Sequence, residues 1–282
     1  MKLLASTNDM LTPSRRIGIR PTRPLRLALV LVLVWGLAGG AHAQVTPWAA
    51  DLEDGTFNEF SQINALNGTL TNVGWASYTG VRSARATYSS STGANGYARG
   101  IFNPGDSGSR AWRGGDSVWY GAAFWLPGNT STTPPNGFTA SMQGQVALLR
   151  WDNYDPVMPN LPVDRSGVVI YGGDKKAHLV RSRDNAQTEL SPVSFNLPEG
   201  RWFWLEVHQV FRASNPYNQV LNEVYLDGNL ILRSGVPNVR TDTRPITRMR
   251  YGLVAIAAGA QTNPLYLLFD RARISPSPIG PR

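Results

Sequence analysis

The stretch RWFWLEVHQVF, residues 201–211, places side chains that could do chemistry on one face of a single predicted strand. Side chains of a strand point alternately to its two faces, so the apolar residues at odd numbers would share one face. The opposite face would carry two indoles, a carboxylate and an imidazole, from Trp202, Trp204, Glu206 and His208. Indoles stack on sugar rings, and the polar groups form directional hydrogen bonds or transfer protons. This face is predicted to line a groove for a sugar chain; the alternative is a second, smaller core beneath a covering segment.

Other candidate strands carry polar and aromatic side chains that could join this groove. GYARGIF offers Tyr97 and Arg99 on one face, and NEVYLDG offers Tyr225 on the face opposite Val224. In QVALLRW the face assignment is ambiguous, because either alternate set of its apolar residues could point into a core.

The strand signals themselves predict the fold class. Short runs rich in Val, Ile, Tyr, Trp and Phe recur between turn-forming residues, and no long window keeps a helical apolar period. We therefore predict an all-β protein, with two antiparallel sheets packed face to face as a jelly-roll sandwich. Tight hairpins are expected at GGD, residues 172–174, and at DGN, residues 227–229. Residues 44–275 are predicted to form one domain, followed by a disordered tail, residues 276–282.

The first 43 residues predict an export signal rather than part of the fold. Five arginines precede an apolar run, LALVLVLVWGLAG, which is followed by the small-residue sequence AHA at 41–43. The run is too short to cross a bilayer, which takes roughly 20 residues. We therefore predict cleavage after Ala43, a secreted or periplasmic protein, and no membrane association once the signal is removed.

The composition of the predicted mature chain excludes some partners. The formal charge of +8 falls to +3 without residues 1–43, which hold six of the 27 Lys and Arg and one of the 19 acids. So small a charge, without a basic cluster, does not indicate nucleic-acid binding. Arginine outnumbers lysine 19 to 2 in this part, which suits an acidic ligand because guanidinium pairs with carboxylate or sulfate. The chain has no cysteine and is expected to be a monomer without disulfides.

The order of these features resembles a known group of proteins. Seven stretches carry the resemblance: DLEDGTFNEF, VWYGAAFWLP, QVALLRW, GVVIYGGDKKAHLVRS, GRWFWLEVHQVF, NEVYLDGNLIL and LYLLFDRARIS. Together they are similar to the concanavalin A-like jelly-roll polysaccharide lyases, especially the heparin-lyase-like and the glucuronan- or alginate-lyase-like groups. The resemblance implies an acidic, uronate-containing polysaccharide as partner. It also implies cleavage by β-elimination, in which neutralisation of the C6 carboxylate acidifies the C5 proton.

The resemblance further implies which residues form the site. The Arg-x-Glu strand of the family corresponds to Arg99, without the acid, and the Gln-x-His strand corresponds to Gln145, with Ala147 in place of the histidine. Our hypothesis places Arg99, Gln145 and Arg150 around a substrate carboxylate, with a tyrosine as the proton carrier. The candidate tyrosines are Tyr97, Tyr171 and Tyr225.

Two histidines follow the predicted signal, and neither lies in the family motif. His208 is a catalytic candidate, and the alternative is a packed imidazole held by hydrogen bonds. His178 follows the turn at Lys175 and Lys176. It could lie over the groove and bind substrate, or it could stay on the surface of the hairpin.

Three acids match positions at which the resemblance implies a structural Ca²⁺: Glu53, Asp54 and Asp270. Calcium takes hard oxygen ligands of this kind. The alternative is that these carboxylates only cap neighbouring strands.

Three other functions stay open from the sequence. A laminin G-like or lectin-like domain has the same layout and would bind carbohydrate without catalysis. A two-carboxylate glycosidase would need paired acids, which Glu206 and Glu223 could supply from adjacent strands. An adhesive surface protein could use the same sandwich. Serine-triad, H-E-x-x-H and G-x-S-x-G patterns do not occur in an arrangement that would support their chemistry.

Overall fold

A computed structural model describes residues 45–103, 116–128, 137–152, 164–183, 187–210, 221–234, 248–256 and 264–281. The predicted export signal lies outside the described residues. The described residues form fifteen strands and one helical turn, Phe138–Ser141. The strands are β1 (Trp48–Ala50), β2 (Gln62–Leu66), β3 (Gly68–Val73), β4 (Ser83–Tyr88), β5 (Gly96–Phe102), β6 (Ser117–Trp125), β7 (Gln145–Asp152), β8 (Asp164–Tyr171), β9 (Ala177–Arg183), β10 (Gln187–Phe195), β11 (Trp202–Val210), β12 (Leu221–Leu226), β13 (Asn229–Ser234), β14 (Arg248–Ile256) and β15 (Leu265–Ser275).

Two antiparallel sheets contain all of these strands, as predicted. The back sheet has the order β13-β12-β11-β6-β15-β4-β3, and β1 also pairs with β15. The front sheet has the order β10-β9-β8-β7-β14-β5-β2. Central neighbours such as β7 and β14, or β6 and β11, come from distant parts of the chain. The order is that of a jelly-roll sandwich rather than of a simple meander.

The hydrophobic core lies between the two sheets and fixes which way each strand faces. On β11, Phe203, Leu205 and Val207 are fully buried in this core, as predicted. Burial of one such side chain stabilises the fold by roughly 1.5 to 3 kcal/mol, so a register slip that reverses the faces is strongly disfavoured. The remaining side chains of each strand must point outward.

A β-bulge in β7 resolves the ambiguity of QVALLRW. Val146 and Leu148 face the core, but so do Leu149 and Trp151. The pairing with β8 shifts between Ala147 and Leu149, where β7 contains an extra residue. The inward-facing set therefore changes at the bulge: Val146 faces the core before it, Leu149 and Trp151 face the core after it, and Ala147 faces outward.

The two hairpins form where the sequence predicts them, but the prediction that the C-terminal tail is disordered was wrong. Asp227 and Gly228 have φ angles of 50° and 80°, as a two-residue type I′ turn requires. Residues 276–281, predicted to be disordered, are ordered because the backbone N–H groups of Ile279 and Gly280 donate to the Glu206 carboxylate at 2.8 and 2.9 Å. Among the described residues, no helix has the length and apolar character to cross a lipid bilayer.

The packing of Gly100 on β5 generates a stability prediction. A Cβ at this position would lie 2.5 Å from the ring of Phe60, whereas a Cβ on Gly173 would meet nothing within 4 Å. We expect Gly100→Ala to lower the free energy of unfolding by about 1 to 3 kcal/mol through overpacking, and Gly173→Ala to leave it nearly unchanged. Urea denaturation of both variants checks this, and equal stability would contradict the described contact with Phe60.

Candidate functional site

The outer face of the front sheet brings together six of the residues predicted for the site. They come from four strands: Tyr97, Arg99, Gln145, Arg150, Tyr171 and His178. Gln145 lies opposite Tyr171, and Arg150 lies opposite Gly167 of β8 and Arg250 of β14. Gln145 and Arg150 are five positions apart and would face opposite ways in a regular strand, so the bulge in β7 puts them on the same face.

Three arginines form the basic end of this face. Arg99, Arg150 and Arg250 are 7%, 9% and 7% exposed. Arg250 Nη2 pairs with the Asp152 carboxylate at 2.5 Å. Within the described ranges, no carboxylate forms an ion pair with Arg99 or Arg150. Arg250 was missed because the sequence reasoning did not assign the faces of MRYGLVAIA, although its alternation of arginine with core residues is the signal that could have found it.

The electrostatics of this end favour an anion. Burial, followed by the charge of Arg250, lowers the pKa of Arg99 to about 9. Burial and the same neighbour also hold the pKa of Arg150 well below its ordinary value. The guanidinium of Arg99 lies 4.1 Å from the ring centre of Tyr97, and its Nε has no hydrogen-bond acceptor among the residues described. Asp152 supplies one negative charge to this group of three arginines, and a carboxylate placed here would add a second charge and further acceptors.

An apolar patch occupies the centre of the face. It is a cluster separate from the main core, formed by Ala147, Val169, Val180 and Val254 and flanked by Tyr97 and Tyr171. Ala147 is the position at which the resemblance implies a histidine. The structure therefore has a methyl group among valines where the family motif would supply a proton carrier.

A tyrosine and a histidine lie at the other end of the face. The rings of Tyr171 and His178 are 5.3 Å apart and T-shaped, and His178 Nε2 is 2.8 Å from Asp174 Oδ2. Tyr171 Oη and His178 Nδ1 are shielded from solvent, and neither has a hydrogen-bond partner in the described part of the chain. Burial, with a smaller contribution from Asp174, raises the pKa of Tyr171, so its phenol is protonated at neutral pH.

Five other predicted site residues lie on the back sheet instead: Trp202, Trp204, Glu206, His208 and Tyr225. The side chains of β11 do point away from the core, but β11 and β12 belong to the back sheet, whereas Arg99 and Gln145 belong to the front sheet. The whole core separates the two sets. The predicted cleft shared by both was wrong, because the sequence shows the face of a strand but not its sheet.

His208 is held on all sides by neighbours on the back sheet. Its Nδ1 is 2.8 Å from Glu223, its Nε2 is 2.8 Å from Ser117 Oγ, and its ring stacks at 4.0 Å on Trp119. Tyr225 donates its hydroxyl to Glu223 at 3.0 Å. Burial raises the pKa of Glu223, but its hydrogen bonds, first that from His208, outweigh this effect and leave the pKa below its ordinary value. The imidazole is thus packed and hydrogen-bonded.

Trp204 and Glu206 form a buried pair beneath the C-terminal tail, which is the covering segment of the alternative interpretation. Both are 2% exposed, and Trp204 Nε1 donates to Glu206 at 3.0 Å. Glu206 and Glu223 are both saturated with hydrogen bonds. This disfavours the glycosidase interpretation, which needs carboxylates available to substrate.

The three acids considered for calcium act as backbone caps. The Asp270 carboxylate accepts from the N–H groups of Tyr78 and Arg271, and burial raises its pKa to about 6. Glu53 accepts from Val81 N at 2.9 Å, and Asp54 binds Thr56 in a local turn. The described residues contain no group of three or more His, Cys, Asp or Glu side chains that could hold a metal ion. They do not fit a calcium site of the expected kind.

Comparison with known proteins identifies the fold. No family model and no curated protein matches the sequence. The endo-β-1,4-glucuronan lyase of the fungus Trichoderma reesei superposes with a TM-score of 0.58 at 14% identity, over 81% of this chain and 94% of its own. The alginate lyase Aly36B superposes with a TM-score of 0.52 at 9% identity, over 83% of this chain and 98% of its own. The predicted jelly-roll sandwich of the polysaccharide-lyase type is confirmed, and at these identities the likeness is one of fold.

The capped carboxylates generate a prediction for metal removal. Because backbone N–H groups already satisfy Glu53 and Asp270, we expect EDTA to leave the melting temperature unchanged at neutral pH. Differential scanning calorimetry, with and without EDTA and then with added Ca²⁺, checks this. A melting temperature that falls with EDTA and recovers with Ca²⁺ would show that a metal site exists after all.

Proposed function

We propose that the outer face of the front sheet binds an acidic, uronate-containing polysaccharide and cleaves it by β-elimination. The observation that carries the proposal is the pair of buried guanidiniums, Arg99 and Arg150, which form no ion pair with a described carboxylate and feel only the more distant charge of Asp152, itself paired with Arg250. An unpaired buried charge costs several kcal/mol, and an incoming carboxylate would offset that cost. The fold supports the same substrate class, because its structural neighbours include a glucuronan lyase and an alginate lyase.

Arg99 and Arg150 would bind the C6 carboxylate of a uronate. A guanidinium donates two parallel hydrogen bonds to a carboxylate, which fixes the orientation of the sugar as well as its charge. These arginines lie at the opposite end of the face from Tyr171 and His178, so the uronate that they hold would be a neighbour in the polymer of the residue that is cleaved. The apolar patch beside the arginines excludes water and strengthens these contacts.

His178 and Tyr171 would move the protons. His178 Nε2–H donates to the Asp174 carboxylate, which leaves Nδ1 with its lone pair as the base for the C5 proton. The C4–O bond then breaks as the C4–C5 double bond forms. Tyr171, kept protonated by its raised pKa, gives its proton to the leaving oxygen. Gln145, opposite Tyr171, would hydrogen-bond the C6 carboxylate of the residue that is cleaved and stabilise the negative charge that develops when the C5 proton leaves.

A second candidate function is carbohydrate binding without catalysis. The observation that favours it is the apolar centre, where Ala147 stands among Val169, Val180 and Val254. A site of this kind binds the polymer through the same arginines and transfers no proton.

Removal of the two guanidiniums tests the binding step. We expect Arg99→Met and Arg150→Met each to weaken binding to glucuronan or alginate by roughly 10- to 100-fold, the value of about 1.5 to 3 kcal/mol for a charged hydrogen bond. Methionine keeps an unbranched chain, and no described ion pair is lost, so the fold is expected to persist. Calorimetric titration at fixed ionic strength measures the affinity. The control is Arg201→Met, in the bend just before β11, where the side chain is 57% exposed; an equal loss there would refute the assignment.

Removal of the proton carriers tests the chemistry. We expect Tyr171→Phe and His178→Ala each to slow cleavage by about 10²- to 10⁴-fold while polymer binding is retained, because each removes a proton-transfer group. Tyr225→Phe, on the back sheet, is the control and should keep full activity. The ultraviolet absorbance of the unsaturated product reports the reaction. Should the unaltered protein bind glucuronan and alginate yet produce no such absorbance, the binding function replaces the lyase function.

A further inference from the structure

A row of large side chains crosses the outer face of the back sheet, on the opposite side of the core from the proposed polysaccharide site. Arg85 of β4 pairs with Leu268 of β15. Trp125 of β6 pairs with Leu268 on one side and with Trp202 of β11 on the other. Their neighbours along each strand lie in the core, so this row faces outward. Adjacent strands are about 4.8 Å apart, and the row therefore spans roughly 14 Å.

Four side chains of this face are partly exposed, and three of them are aromatic. Leu268 is fully buried, whereas Arg85, Trp125, Trp202 and also Tyr266, two residues before Leu268, are partly exposed. The rings of Trp125 and Tyr266 are 6.2 Å apart. We refer to the four partly exposed residues as the back-sheet row. Aromatic rings exposed together on one sheet face offer the apolar surface on which sugar rings pack.

The protein does not use the polar atoms of these three aromatic side chains. Among the residues that the structure describes, Trp125 Nε1, Trp202 Nε1 and Tyr266 Oη form no hydrogen bond. The buried indole of Trp204, by contrast, donates to Glu206 at 3.0 Å. A ligand rich in oxygen acceptors can use the unpaired donors of the back-sheet row, which an apolar partner cannot.

Arg85 adds a positive charge at one end of the back-sheet row. Its guanidinium carbon lies 4.5 Å from the centre of the Tyr266 ring, and its Nε is shielded from solvent without an acceptor. Within the described ranges, Arg85 forms neither an ion pair nor a hydrogen bond. The next side chain across the sheet is the exposed Thr71 of β3, which is neutral. A ligand carboxylate could therefore pair with Arg85 without displacing a described acid.

The chemistry of the back-sheet row favours a sugar chain over a second copy of this protein. An isologous contact would bring the same four side chains together, and these include no carboxylate to pair with Arg85. An acidic polysaccharide offers carboxylates to the guanidinium, hydroxyl groups to the unpaired donors and apolar ring faces to the indoles. A chain laid across the strands meets all of these groups in turn.

We propose that the back-sheet row is a second, non-catalytic binding site for an acidic polysaccharide chain. Trp125, Trp202 and Tyr266 pack on its sugar rings, and Arg85 binds one of its carboxylates. The site uses no residue of the front sheet, so it does not depend on the proposed lyase function. It has one partly exposed guanidinium where the front sheet has two buried ones, and it is therefore expected to be the weaker of the two sites.

Calorimetric titration with hexa-β-1,4-D-glucuronate tests the proposal, and cellohexaose is the matched ligand without carboxylates. The titration is made on the Arg99→Met/Arg150→Met protein, in which the front-sheet site is disabled. We expect one hexaglucuronate per chain, bound roughly 10- to 100-fold more tightly than cellohexaose, as a charged hydrogen bond provides. Arg85→Gln should remove this preference for the acidic ligand.

Replacement of the tryptophans tests the ring contacts. We expect Trp125→Leu and Trp202→Leu each to weaken hexaglucuronate binding roughly 2- to 10-fold, because each removes one aromatic contact. The matched control is Trp119→Leu, six residues from Trp125 on the same face of β6 and about 20 Å away, which should leave the affinity unchanged. Thermal unfolding of each variant checks that it is folded. Because Arg85 forms no described ion pair, Arg85→Gln is expected to fold even if a tryptophan variant does not.

Four results would overturn the proposal: no saturable heat from hexaglucuronate, equal affinity for cellohexaose, equal losses from Trp119→Leu and Trp125→Leu, or a dimer in light scattering that Trp125→Leu dissociates. The last result would show that a second copy covers the back-sheet row. Failure of the proposed function looks different. The unaltered protein would then bind one hexaglucuronate, Arg99→Met/Arg150→Met would not change this, and Trp125→Leu would still weaken it.

Discussion

The burial of apolar side chains between the two sheets is the constraint on which the rest of the structure depends. It fixes which side of each strand faces outward, and the candidate site on the front sheet consists of what is left on that outward side. A β-bulge modifies this rule, because the bulge in β7 turns Gln145 and Arg150 to the same face of the front sheet. Functional groups thus gather where the regular alternation is interrupted.

The polar groups outside the core divide into those that the protein satisfies and those that it leaves unsatisfied. His208 bonds to Glu223 and Ser117, and Glu223 also accepts from Tyr225 and Arg233. Polar groups that form their hydrogen bonds within the protein in this way stabilise the fold and fix the positions of their side chains. Arg99 and Arg150 are also buried but form no ion pair with a described carboxylate, which the fold tolerates at a cost. This contrast, more than the presence of arginine itself, separates a binding surface from a structural network.

The sequence predicted the strand faces and turns, which depend on local pattern. It did not predict which strands share a sheet, because this depends on pairing between distant segments. Alternation in RWFWLEVHQVF predicted the core face of β11, and the DGN signal predicted the hairpin between β12 and β13. Assignment of Trp202 and Arg99 to one cleft failed because β11 pairs with β6 and β12 while β5 pairs with β14 and β2, and no local signal encodes these pairings. The bulge in β7 was invisible for a related reason, since its extra residue is defined only against β8.

The resemblance implies a histidine at the position of Ala147, and this chain has a histidine, His178, two strands away in the front sheet. Ala147 pairs with Val169, and Val169 pairs with His178, so all three lie in one row across the front sheet. An imidazole in this row, two strands from the family position, projects from the same face. The hydrogen bond to Asp174 fixes its tautomer, and the valines around Ala147 lower the local dielectric. His178 would then transfer protons next to this apolar patch. In its low dielectric, the contacts of the guanidiniums with a substrate carboxylate are stronger than at a hydrated site.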